Sequence, residues 1–102
     1  MEINRLRSEQ LDRLFEAILS LRTKEECYKF FDDLATMNEI SSLTQRFEVA
    51  RLLLEGRTYN DIEKATKAST ATISRVRRCI DYGSGGYKIV FDRLLDKEEN
   101  EE

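Results

Sequence analysis

TYNDIEKATKASTATISRVRRCID, residues 58–81, reads as two short helices joined by a tight turn. Ile62 and Ala65 give the first helix an apolar stripe at helical spacing, and Ile73, Val76 and Ile80 give the second its own. Ser69 stands where its hydroxyl can accept from the free amides of the second helix's first turn. Thr70, Ala71, Thr72 and Ser74 then put short side chains on the outward face, beside an inward Ile73. Small groups let a helix axis approach the base edges of a nucleic-acid groove. Arg75, Arg77 and Arg78 behind them suit phosphates or guanine. Tyr59 and Asn60, opening the first helix, are expected to anchor to the sugar–phosphate backbone. The pattern predicts a helix-turn-helix rather than an αα-hairpin whose arginines are a solvated face. Two residues run against it. Lys67 occupies the turn position where glycine would take a left-handed backbone without steric cost, and Glu63 stands where a small or basic residue would suit DNA.

Outward from this stretch, the composition favours long helices with few breaks. The 102 residues include no proline and only four glycines, and Leu, Glu, Arg and Lys are abundant. That length suits one all-α domain. There is no apolar run of membrane-spanning length and no charged-then-apolar leader, so the expected location is the cytoplasm, at the nucleoid when DNA is bound. Cys27 and Cys79 lie outside any metal-ligand spacing and read as small buried hydrophobes. The chain has no histidine, which removes histidine-based acid–base and triad chemistry. No enzyme signature remains, and neither a metal nor a cofactor is expected.

The net charge of −3 is unevenly spread. Residues 1–55 hold 8 basic and 11 acidic side chains, residues 56–81 hold 6 and 3, and residues 82–102 hold 3 and 6. Positive charge gathers in the reading module, where proximity to phosphates matters more than the total. The excess is small, so one copy is expected to bind DNA weakly.

The N-terminal half supplies three helices. Ser8 begins the first, with Leu11, Leu14, Phe15, Ile18 and Leu21 at spacings of three and four. Thr23 opens the second with a capping box, Glu26 lying three residues on, and Cys27, Phe30, Phe31 and Leu34 form its stripe. The third, about residues 39–55, carries Ile40, Leu43, Phe47, Ala50 and Leu54 on one seam, widened by Val49, Leu52 and Leu53. A helix apolar on several faces is expected at the centre of the fold. Gly56 is a natural C-cap. After the flexible-looking Tyr82-Gly83-Ser84-Gly85-Gly86 link, Tyr87, Val90, Phe91, Leu94 and Leu95 form a last amphipathic helix, with a short strand at residues 88–91 as the alternative. Residues 1–95 are read as a single domain and residues 96–102 as a disordered acidic tail. Five or six helices with this much apolar face leave too little chain to cover them. A homodimer with interleaved N-terminal helices resolves the surplus and doubles the positive patch.

Arg46-Phe47-Glu48-Val49-Ala50-Arg51, Leu53-Leu54-Glu55-Gly56 and Ala71-Thr72-Ile73-Ser74-Arg75 together resemble the Trp repressor superfamily, and within it the Trp-repressor-like YerC/YecD group of bacterial proteins. The resemblance implies an all-helical intertwined homodimer that binds double-stranded operator DNA and regulates transcription as a repressor. In Trp repressor two arginines sandwich the indole of tryptophan. They correspond to Arg46 and Arg75, for which pairing with Glu48 or Asp81, or phosphate contact, is the preferred reading. Where that repressor has a glycine beside the indole this chain has Val76, and where it has a ligand-holding serine this chain has Cys79. Arg46, Arg75, Val76 and Cys79 thus outline a degenerate pocket, and tryptophan is not expected to bind. Glu63 stands where the repressor has a phosphate-facing lysine, so the operator is expected to differ. The alternative is a helical dimeric interaction protein that kept the fold and lost DNA binding.

Overall fold

A computed structural model describes residues 3–101, and every element among them is helical. A short 3₁₀ turn, Ile3–Leu6, precedes α1 (Glu9–Leu19), α2 (Lys24–Leu34), α3 (Met37–Leu54), α4 (Tyr59–Thr66), α5 (Thr70–Tyr82) and α6 (Gly86–Glu101). Local chemistry sets most starts. Ser8, Thr23, Thr58 and Ser69 each accept a hydrogen bond from the backbone N–H three residues on, at 3.0–3.2 Å. At Thr23 the expected box is shifted by one residue, because Glu26 accepts from the Arg22 amide rather than from that of Thr23. A complete box forms instead at Thr36. Its hydroxyl accepts from Glu39 N–H at 3.1 Å, and its own N–H donates to the Glu39 carboxylate at 2.9 Å. That box starts α3 two residues earlier than its apolar seam suggested.

Packing gathers the described chain into two compact units, residues 3–42 and 43–101. The N-terminal unit holds α1, α2 and the first turns of α3. No described side chain in it is buried, although Phe30 and Phe31 meet edge to face at 5.7 Å. Cys27 is exposed rather than buried.

The C-terminal unit has a closed core. Val49, Ala50, Leu52 and Leu53 of α3 pack with Ile62 of α4, Ala68 of the turn, and Ile73 and Val76 of α5, while Ile80, Tyr87 and Phe91 lie against them. Full burial of each Val, Leu or Ile side chain contributes about 1.5–3 kcal/mol, which is why these two short helices hold their places. Ala65, read as part of the α4 stripe, is exposed. Gly56 takes φ 84° as the expected C-cap: its N–H donates to Leu53 O and that of Arg57 to Leu52 O. Gly83 is needed for a different reason, since a Cβ there would lie 2.2 Å from the Cys79 carbonyl oxygen.

Residues 88–91 are helical, as the amphipathic spacing predicted over the short strand, and α6 continues through the supposed tail to Glu101. Glu102 lies outside the described residues.

Candidate nucleic-acid interface

α4, the turn and α5 are held together before any partner is considered. Lys67 caps α4 in the left-handed region, φ 61°, and its N–H donates to Glu63 O at 2.8 Å. It therefore bears the steric cost that a glycine would have avoided. Thr66 steadies the turn from both sides, its hydroxyl donating to Ile62 O at 2.7 Å and accepting from Ala68 N–H at 3.1 Å. Gln45 of α3 adds a third tie by donating to Thr66 O at 3.1 Å. Ile62 and Ile73, both fully buried, seat α4 and α5 on the core.

The outward side of α5 carries most of the residues singled out by sequence. Thr70, Ala71 and Ser74 are exposed, as are Arg75, Arg77 and Arg78. Thr72 is half-buried and its hydroxyl oxygen accepts from the Ser69 hydroxyl at 3.1 Å, so it belongs partly to the cap. Tyr59 and Asn60 are exposed on the first turn of α4. Arg77 Nε donates to Asp81 at 3.1 Å, which neutralises part of its charge locally, while Arg75 and Arg78 make no ion pair with another described residue. Thr70 donates to the carboxylate of half-buried Glu63, a contact across the turn that sequence spacing did not suggest.

Beside the reading surface, a cleft of about 450 Å³ is lined by Leu43, Arg46, Phe47, Arg75, Val76, Cys79 and Tyr87. The four residues read as a degenerate pocket do come together. Leu43, Phe47 and Tyr87 were missed because they enter from the α3 seam and from α6, at distances in sequence that periodicity does not relate. Phe47 stacks on Phe91 with ring centroids 4.9 Å apart, and Tyr87 stacks on Phe91 at 6.4 Å. Burial raises the Tyr87 phenol above its usual range, which favours the neutral hydroxyl. Glu48 is held by Arg51 at 2.5 Å, which lowers its carboxyl below the usual range, and Asp81 is held by Arg77. Cys79 is half-buried on the cleft wall, not fully enclosed as read.

Comparison with known proteins gives a consistent pattern. Residues 9–95 match the family model described as Trp repressor protein. The uncharacterised protein YerC of Bacillus subtilis (strain 168) is 59% identical over 98 residues, covering 96% of this chain and 94% of its own. Among solved structures, a Staphylococcus aureus protein provisionally described as a Trp repressor superposes with a TM-score of 0.88 at 53% identity, over 93% of this chain and 95% of that one. A TrpR-like protein from Eubacterium eligens ATCC 27750 gives 0.86 at 57% identity, over 89% and 94%.

Proposed function

The chain belongs to the Trp repressor family of helix-turn-helix DNA-binding regulators, which are not enzymes, and from that premise we propose that it is a sequence-specific transcriptional repressor acting as a homodimer. One observation carries the DNA reading. α5 buries Ile73 and Val76 against the core while turning Thr70, Ala71, Ser74, Arg75 and Arg78 outward. Short groups for base edges and unpaired cations for phosphates occupy the same exposed side. Arg77 is the weaker phosphate ligand because Asp81 competes for it. Tyr59 and Asn60 serve as backbone anchors.

The N-terminal unit supports the dimer. Leu19, Tyr28 and Met37 are 82%, 76% and 71% exposed, and nothing in residues 3–42 is buried. A second copy supplies the missing cover and presents two reading helices to a two-fold site, whose half-sites lie about 34–36 Å apart. Val76 and Cys79 leave the cleft without the space and the hydroxyl that tryptophan would use. The protein acts in the cytoplasm without that corepressor. No helix among the described residues is long and apolar enough to cross a membrane.

The rival, an interaction protein that no longer binds DNA, draws on Glu63 beside the reading helix and on the Arg77–Asp81 pair. Titration of random and genomic duplex fragments at rising salt separates the two. Saturable, salt-sensitive binding with enrichment of particular fragments is expected; no binding above background at low salt overturns the DNA reading.

A further inference from the structure

Thr70 is the first residue of α5, exposed, and its hydroxyl donates across the turn to a carboxylate oxygen of Glu63. That one bond fixes the hydrogen-bonding character of the leading edge of the helix. With its proton committed to Glu63, the Thr70 oxygen can only accept, and an ionised carboxylate can only accept as well. The second Glu63 oxygen has no partner among the described residues. Ala71, the next outward residue, offers a methyl group. The side chains at the start of the helix therefore offer acceptors, a methyl group and one negative charge, and no side-chain donor.

It is also a positioned surface. Glu63 follows fully buried Ile62, and its backbone carbonyl accepts from Lys67 N–H at the cap. The carboxylate is held from an anchored helix rather than from a loose loop.

In the major groove each base presents a different edge. Guanine shows two acceptors and thymine an acceptor beside a methyl group. Adenine shows an amino donor flanked by the N7 acceptor. Cytosine alone shows an amino donor with no acceptor beside it. Such side chains, the Glu63 carboxylate first among them, are attracted by the cytosine edge, partly repelled by adenine, and opposed by guanine and thymine. Resting on the DNA-binding reading above, we propose that Glu63, oriented by Thr70, is a specificity-determining residue that selects cytosine at the base facing the start of α5. The same charge weakens attachment to phosphates elsewhere, so it trades general affinity for discrimination.

The test is selection from a randomised duplex pool with the full chain as wild type, Glu63→Gln and Thr70→Val, followed by titration of single-base variants of the best site. Glutamine keeps the shape but gains a donor and loses the charge. Wild type is expected to require cytosine at one position per half-site, with a penalty of roughly 5- to 150-fold for other bases. In Glu63→Gln that penalty shrinks to within about threefold at that position only, while random-duplex affinity rises. Thr70→Val, which removes the orienting proton, lowers the same penalty without the rise on random DNA. Thermal melts of both variants accompany the selection, and either variant alone decides the matter if the other fails to fold. Identical base preferences in wild type and variants overturn this inference while leaving DNA binding intact, as does a variant-sensitive position that is not cytosine. Failure of wild type to bind any duplex overturns the DNA reading and this inference together.

Discussion

Lys67 holds φ 61° at the turn between α4 and α5, a conformation in which its Cβ crowds the backbone. Relief of that crowding is worth about 1–2 kcal/mol, against roughly 0.5–1 kcal/mol for the extra freedom glycine gives the unfolded chain. Lys67→Gly is therefore expected to raise stability by about 0.5–1 kcal/mol in urea unfolding; a loss would mean that the lysine stem makes contacts worth more than the strain. The Thr36 box makes a second residue-scale prediction. Hydrogen bonds from the Thr36 backbone and then from its side chain hold the exposed Glu39 carboxyl below its usual range. Its contribution is present above the ordinary carboxylate value and fades as pH falls through the lowered one. Glu39→Gln should flatten that part of the acid limb of a stability–pH profile, and an unchanged limb would show that the box does not titrate. Caps such as Ser8 and Ser69 were legible because they act within three residues. The Thr36 box is equally local, but the apolar seam of α3 suggests a start two residues beyond the helix start, and only the Thr-x-x-Glu pattern marks the true one. The Glu63–Thr70 contact could not be read at all, since it exists only once the turn has folded two helices onto each other.

At the scale of elements, α5 was readable from its three-and-four spacing, and Ile73 and Val76 are indeed its buried side. α6 was cut short because its run of acids from Asp96 resembles a solvated tail. A helix one face of which is already anchored by Tyr87 and Phe91 can extend into such a run, since Glu and Lys are good helix formers. The cleft between α3, α5 and α6 carries the element-scale prediction. Val76 is 2% exposed and forms part of the cleft wall, Cys79 offers only a weak donor, and Tyr87 and Phe47 already place aromatic surface there. Calorimetry is expected to detect no tryptophan binding at millimolar ligand. Saturable binding coupled to tighter DNA association would show that the cleft opens further than its walls suggest.

For the molecule as a whole, the contrast lies between a closed core in residues 43–101 and an unburied set of apolar helices in residues 3–42. The surplus was visible in the sequence as stripes without cover. The division into two units was not, because α3 runs unbroken through the boundary and gives no compositional sign of it. Sedimentation at micromolar concentration is expected to give twice the 12.0 kDa chain mass. Phe31→Glu should abolish the dimer, because it places a charge among the apolar side chains that a second copy covers; a monomeric wild type contradicts the dimer. The central claim is that α5 grips duplex DNA through unpaired arginines, and it is tested most directly by the salt dependence of binding in wild type and Arg78→Ala. Loss of one phosphate contact per protomer, two per dimer, is expected to weaken specific and random duplex alike and to reduce the slope of log affinity against log salt by roughly 1.8. An unchanged affinity and an unchanged slope would contradict it.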